Sequence, residues 1–287
     1  MLHRSTIQLL RVPFSFFLMP VYWFALSTIP LIDWTKAILI FIILHLLVYP
    51  SSNGYNSFMD RDETPIGGIA NPMQPTQQLF FATVVLDAIA IILSLFVNLY
   101  FTIGIVVYIL FSRAYSYRKI RLKRYPIIGY LTVILNQGAL TFWMVYKGAS
   151  AGNTSVFPTI ALMSATFLIG GFYPITQVYQ HQADKKDGVK TISILLGIKG
   201  TFGWCAAMYA IAFGLLFAHF QRAHQMTHFL ILQFFFIPVF LYFFYWVNKV
   251  WQNKANANFI YTMRMNWLAS ICTNAAFITL LILNHLD

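Results

Sequence analysis

The 287-residue chain is 59% hydrophobic and only 9% charged, with a formal net charge of +11. Soluble proteins carry about 25% charged residues, so this chain cannot cover a water-soluble globule, and its mean hydropathy of +0.67 points into a bilayer. In a membrane protein excess positive charge marks cytoplasmic loops rather than a nucleic-acid surface, and the two cysteines, Cys205 and Cys272, both inside apolar runs, exclude a disulfide framework or a cysteine metal site.

A helix crossing the hydrocarbon core needs about 20 apolar residues. Nine runs qualify: 10–31, 36–55, 78–97, 99–117, 126–147, 156–179, 200–219, 227–249 and 264–285. The first, with Val12 to Leu31 as its apolar stretch, is followed by no small-residue cleavage site and reads as a retained helix. The runs are apolar all round and about twice the length of barrel strands. The expected fold is therefore all-α: one domain over 1–287, a polytopic membrane bundle of about nine transmembrane helices around a central cavity.

Lysine and arginine placement sets the expected orientation. With the N-terminus in the cytoplasm, that side receives Arg4, Arg61, the cluster Arg113, Arg118, Lys119, Arg121, Lys123 and Arg124, then Lys185, Lys186, Lys190, Lys199, Lys249, Lys254 and Arg264. The outer side receives only Lys36, Lys147 and Arg222. In a bacterium this is an integral protein of the inner or plasma membrane.

Five of the eight acidic residues fall in two of those inner loops: Asp60, Asp62 and Glu63, then Asp184 and Asp187. A topology signal made of cations does not explain them. Asn53, Asn56 and Asp60 are spaced i, i+3, i+7, which places them on one helix face. Gln177, Gln180 and Asp184 repeat that spacing at the end of the sixth run. Interfacial anchoring explains one such stripe, but two on the same side of an acid-poor chain favour chemistry. Mg²⁺ takes hard oxygen ligands, keeps several waters, and binds through one or two carboxylates plus substrate phosphates. Two facing stripes would clamp a diphosphate through Mg²⁺ and stabilise its departure from an allylic carbon. Asp60 and Asp184 are the candidate catalytic residues. The candidate metal set is Asn56, Asp60, Asp62, Glu63, Gln180, Asp184 and Asp187, with Asn53 and Gln177 lining the substrate site.

The fourth and fifth runs are joined by the basic segment from Arg113 to Arg124. Its bland role is attraction to lipid head groups; its functional role is capture of a diphosphate. Tyr115, Arg118, Lys119 and Lys123 are candidates for the second role, with Arg11 and Lys190 beside them. His45, Asp87, Asn136 and Gln137 lie inside apolar runs, where interhelical hydrogen bonding is as good an expectation as catalysis. His181 reads as an interfacial histidine.

These features together resemble the UbiA superfamily of intramembrane prenyltransferases, over almost the whole chain. Asn56 and Asp60 match the first Asn and central Asp of its Asn-Asp-x-x-Asp-x-x-x-Asp motif. Asp184, Gly188 and Thr191 match the second motif. Tyr115 and Lys123 resemble its loop Tyr and Lys, and Arg11 with Pro13 resembles the Arg before a Pro in its first helix. Ser57 and Thr64 stand where the family often has Asp, Gln180 replaces the first Asp of the second motif, and Asn71-Pro72 stands for its Arg-Pro. The resemblance implies a laterally open helical chamber and Mg²⁺-dependent transfer of a prenyl group. The donor would be an isoprenyl diphosphate, and the hydrophobic acceptor an aromatic, quinone-precursor or lipid-like molecule. The alternative within the superfamily is a membrane terpene cyclase that needs no acceptor. A transporter is a weaker reading, because its polar residues belong near the midplane with inverted repeats.

Overall fold

The computed structural model describes residues 2–152 and 157–285. It contains α1 (Arg4–Ser27), α2 (Trp34–Asp60), α3 (Gln77–Ser94), α4 (Leu99–Ser116), α5 (Pro126–Ala149), α6 (Thr159–Ile175), a short α7 (His181–Lys186), α8 (Ile192–Arg222), α9 (Met226–Gln252) and α10 (Phe259–His285). Every predicted run carries a helix. Eight helices are long and apolar enough to cross a membrane, and α6, with 17 residues, is a shorter apolar ninth. Among the described residues there are no strands, only two isolated β-bridges. Cys205 and Cys272 are free.

The helices close into a ring. α1 packs on α10, α2 and α5; α5 meets α4 and α6; α6 lies along α8, α8 on α9, and α9 on α10. α3 sits outside, held by α2 and α4. The interior is aromatic and aliphatic, with Tyr49, Phe24, Phe101, Phe142 and Phe277 almost fully buried. Large apolar side chains such as Phe81, Leu99, Phe234 and Leu241 face outward, as a surface bathed in lipid requires.

Local irregularities shape the centre. α1 breaks at Arg11, whose backbone is left-handed (φ 48), and tightens into a 3₁₀ stretch over Val12–Phe17. α2 widens to i→i+5 turns over Ile43–Val48 just before Pro50, which has no N–H to give back to the Leu46 carbonyl. α5 widens in the same way over Leu135–Leu140. There Gly138 lets α5 and α6 touch, since a Cβ at this position would lie 2.6 Å from the Thr166 Cα.

Several predicted ends shift by four to six residues, among them 10–31 to Arg4–Ser27 and 264 to Phe259, and at two of the predicted boundaries a helix-breaking residue is the cause. The sixth run was expected to continue to residue 179, but α6 stops at Ile175, one residue after Pro174, which breaks the backbone hydrogen-bond ladder of its last turn. The seventh was expected to start at 200. α8 starts at Ile192, and Gly197 (φ 68, ψ 170) breaks it just before that predicted start.

Candidate active site

The last turns of α2 form one wall. Asn53, Asn56 and Asp60 line a single cavity of roughly 210 Å³, as their shared helix face requires. Asn56 Nδ2 donates to Asp60 Oδ2 (2.9 Å) and to Ser116 Oγ of α4 (2.9 Å). The chain then reverses at Arg61, whose left-handed backbone (φ 54) ends the helix and whose N–H donates to the Ser57 carbonyl (3.0 Å). That turn returns Asp62 to the same cavity.

The opposite wall comes from the end of α6. The expected continuous stripe is instead α6, a turn and α7, with Gln180 as the N-cap residue of α7. Gln177, Gln180 and Asp184 nevertheless all line the cavity. Gly188, in the left-handed region (φ 67), turns the chain out of α7, and the Val189 N–H donates back to the Asp184 carbonyl (2.8 Å).

Cations close the ring. Lys123 Nζ pairs with Asp60 Oδ2, and Arg121 Nη2 lies 3.7 Å from Asp60 Oδ1. Arg11 is buried without a carboxylate at contact distance. Its guanidinium donates to the backbone carbonyls of Asn53 (3.1 Å) and Gly67 (3.4 Å), and its Nε has no partner. The Tyr115 and Tyr173 hydroxyls hydrogen-bond each other, and Gln177 Nε2 donates to Tyr173 Oη (2.8 Å).

Ten predicted site residues therefore meet in one cavity: Arg11, Asn53, Asn56, Asp60, Asp62, Tyr115, Lys123, Gln177, Gln180 and Asp184. Five do not line it. Glu63, Lys119 and Lys190 are exposed to solvent. Asp187 is held by Arg121 and by Arg118 Nη1 (3.0 Å), so its carboxylate belongs to a loop-to-loop ion pair. Arg118 also donates to the Met59 carbonyl (2.8 Å), which ties the basic segment to the end of α2. Sequence reasoning left Arg121 undistinguished from the other loop cations and missed Thr132, Tyr173, Tyr179 and Asn266, all lining residues.

The remaining intramembrane groups divide. Asn136 and Gln137 line the cavity, and Asn136 Nδ2 also donates to the Tyr108 carbonyl (3.2 Å). Asp87 has a partner that its sequence neighbours did not reveal: Arg113 Nε of α4 donates to its Oδ2 (3.0 Å), while Ser51 Oγ of α2 donates to its Oδ1 (2.6 Å). That network braces α2, α3 and α4. His181 Nε2 hydrogen-bonds Ser193 Oγ (2.7 Å) and does not line the cavity.

The electrostatics favour a cation among the oxygens. Burial, reinforced by Asp60, pushes the Asp62 carboxyl up to about 6, although Lys123 and Arg11 pull the other way. Burial, opposed by Lys123 and reinforced by Asp60 and Asp62, pushes Asp184 up to about 7. Against its own partial burial, Asp187 is held below the usual carboxylate range by Arg121 and Arg118. Among the described residues no three of His, Cys, Asp and Glu form a closed metal cage. Mg²⁺ needs none, because substrate phosphate and water complete its shell. Buried Asp60 Oδ1 has no hydrogen-bond partner, and the available donors are hard oxygens, so these residues fit that ion.

The pH dependence has a definite sign. Between the ordinary carboxylate range and about 7 the folded state holds protons on Asp62 and Asp184 that the unfolded chain has lost. Their contribution to stability therefore falls as pH rises through that window. A divalent cation must displace those protons. The shift in Tm produced by Mg²⁺ with a prenyl diphosphate is expected to be large near pH 8 and small near about pH 5. An equal shift at both, measured by differential scanning fluorimetry, would show that these carboxyls take no part.

Deeper in the bundle lies an apolar cavity of about 60 Å³ whose walls include Phe17, Phe24, Tyr209, Phe213, Phe236 and Phe277. Neighbouring residues on α1, α6 and α10 line the two cavities: Phe14, Tyr173 and Asn266 the polar one, Phe17, Phe172 and Met265 the apolar one.

The UbiA prenyltransferase family profile matches residues 17–271. The chain belongs to that family. No curated protein matches it by sequence. Solved structures share its fold at low identity. A UbiA homolog from Archaeoglobus fulgidus bound to GPP and Mg²⁺ is 18% identical, with a TM-score of 0.72 over 96% of this chain and 99% of that one. The apo UbiA homolog from Aeropyrum pernix K1 is 18% identical, with a TM-score of 0.69 over 94% and 98%. A digeranylgeranylglyceryl phosphate synthase is 19% identical, with a TM-score of 0.60 over 97% of each chain. The chain is thus a multi-pass membrane protein of this family, with Asp60 at the end of α2 and Asp184 in α7.

Proposed function

We propose that this protein transfers a prenyl group from an isoprenyl diphosphate to a hydrophobic acceptor within the membrane, using Mg²⁺. One observation carries the reading: the α2 and α6–α7 oxygen walls share one cavity with Lys123 and Arg11, and neighbouring residues of α1, α6 and α10 line an apolar chamber. The GPP and Mg²⁺ bound by the Archaeoglobus fulgidus homolog support the donor and ion. The positive-inside pattern supports a cytoplasmic face for the motif end.

Asn56, Asp60, Asp62, Gln180 and Asp184 would hold the ion, which supplies charge stabilisation to a departing diphosphate. Lys123 and Arg11 share that negative charge as it grows on the leaving group. Asn53, with an unpartnered buried Nδ2, donates to phosphate oxygen. The chain Tyr115–Tyr173–Gln177 fixes the wall between the carboxylates and the apolar chamber. Aromatic side chains there exclude water from an allylic cation and present ring faces to it. Attack by the acceptor and loss of its proton complete the transfer.

Purified protein given Mg²⁺, geranyl diphosphate and a membrane lipid extract is expected to release diphosphate and form a prenylated lipid detectable by mass spectrometry. A cyclic hydrocarbon or alcohol made from the donor alone would replace this reading with the cyclase. No Mg²⁺-dependent consumption of any prenyl diphosphate would end it.

A further inference from the structure

The lining of the polar cavity includes a group that neither the packing nor the diphosphate chemistry uses. Asn266 lies seven residues into α10, about 10 Å along its axis. It is 1% exposed, it lines the polar cavity, and neither its Oδ1 nor its Nδ2 has a partner among the described residues. It belongs to a buried stripe at every fourth residue: Thr262, Asn266, Ser270 and Asn274. Thr262 Oγ1 donates to the Asn258 carbonyl (2.9 Å), and Asn274 Nδ2 donates to the Phe16 carbonyl of α1 (3.2 Å). Those two residues serve the helix and its packing, whereas Asn266 serves neither. A buried amide without partners lowers stability, and a residue that breaks a local rule with no structural return marks function.

Its position says which function. Met265, Ala269 and Ser270 of the same helix already line the apolar cavity. Asn266 therefore stands at the junction of the two cavities. With the diphosphate among the carboxylates and the tail in the apolar chamber, that junction is where the donor's C1 carbon lies. The lining residues Thr132, Asn136, Gln137 and Tyr108, from within α4 and α5, are uncharged. Of the two cations that line the cavity, Lys123 pairs with Asp60, and Arg11, which donates to the Asn53 and Gly67 carbonyls, is taken by the diphosphate in this reading.

We propose that Asn266 forms the acceptor subsite and binds a neutral hydroxyl, phenolic or alcoholic, beside the donor's C1 carbon. This inference rests on the transferase reading. A primary amide presents an acceptor and donors side by side, which matches an O–H that donates to Oδ1 while accepting from Nδ2. A carboxylate would need a free cation and an ammonium a free anion, and the cavity's charged residues are taken by the ion and the diphosphate in this reading. In the transfer the donor's C1–O bond breaks and its electron pair leaves with diphosphate. The hydroxyl oxygen, or a ring carbon activated by a phenol, supplies the pair for the new bond to C1. The acceptor's proton leaves on the diphosphate.

Lipid extracts of cells making wild type, Asp60→Asn and Asn266→Leu test this by mass spectrometry. The expected product is a prenyl ether or a prenylated phenol. It is present with wild type, absent with Asp60→Asn, and reduced at least about tenfold with Asn266→Leu, because a site built to hydrogen-bond a hydroxyl works poorly without its partner. The purified Asn266→Leu protein keeps the wild-type shift in Tm on addition of Mg²⁺ with geranyl thiolodiphosphate, and its Tm without ligand is equal to or above wild type. A purely structural role would lower that Tm. Full product yield from Asn266→Leu, a product whose acceptor bears no hydroxyl, or loss of the donor-induced shift each overturns the subsite. Should leucine not fold, Asn266→Ala repeats the test. Identical lipid profiles for wild type and Asp60→Asn would instead sink the transferase reading beneath it.

Discussion

Asp60→Asn and Asp184→Asn each lower prenyl transfer by at least about 10²–10³-fold in kcat, the scale on which removing one preorganised charge-stabilising group acts, yet they move stability in opposite directions. The Asp60 side chain is 6% exposed and faces both Lys123 and Arg121. Removing one partner of a buried ion pair leaves uncompensated charge and costs about 3–5 kcal/mol, so Asp60→Asn is expected to lower Tm despite keeping the shape. Asp184 has no cation within salt-bridge distance, and its carboxyl is pushed up to about 7 by burial and by Asp60 and Asp62. A neutral amide relieves that repulsion, and Asp184→Asn is expected to hold or raise Tm. Loss of turnover in both variants with opposite stability changes separates chemistry from folding. Wild-type turnover in either variant, measured with Mg²⁺ and geranyl diphosphate, removes that carboxylate from the mechanism.

The bundle was legible because lipid imposes one demand on every spanning segment, continuous apolar helix, and that demand leaves its mark residue by residue. The α2 wall was legible for a related reason: Asn53, Asn56 and Asp60 sit within one regular helical stretch, so spacing alone fixed their common face. The second wall was only half legible. The i, i+3, i+7 spacing of Gln177, Gln180 and Asp184 predicted convergence, but Pro174 ends the helix before any of them, and a turn delivers them instead. Convergence of the two walls is a long-range fact that periodicity does not encode. The same limit explains Asp87, whose partner Arg113 lies 26 residues away on another helix, and Arg121, one of six cations between Arg113 and Arg124. Asn266 was hidden for a different reason. The stripe of Thr262, Asn266, Ser270 and Asn274 carries no charge and reads as interhelical packing, and only missing hydrogen-bond partners in the folded state set Asn266 apart from Thr262 and Asn274.

Lys123→Met is expected to change the order in which ligands bind, because Lys123 Nζ occupies the Asp60 carboxylate before any donor arrives. That carboxylate is buried, accepts from Asn56 Nδ2 (2.9 Å), and has the more distant Arg121, at 3.7 Å, as its second cation among the described residues. A divalent cation approaching alone must displace an ammonium that has nowhere else to go, since the other carboxyls facing this lysine, Asp62 and Asp184, hold their protons up to about 6 and about 7. A diphosphate arriving with the ion offers the lysine a new anionic partner, and the exchange becomes one of charge for charge. Wild type is therefore expected to show a raised Tm with Mg²⁺ and geranyl diphosphate together and little with either alone. Without the lysine, Mg²⁺ alone gains access to Asp60, so Lys123→Met responds to the ion by itself. The same variant loses a contact to the leaving group, and kcat/KM for the donor falls by about 10²-fold or more. If Lys123→Met ignored Mg²⁺ while keeping full kcat/KM, the lysine would be a topology signal and nothing further. A gain in ion binding joined to a loss in transfer is a combination that neither a structural nor a topological role produces.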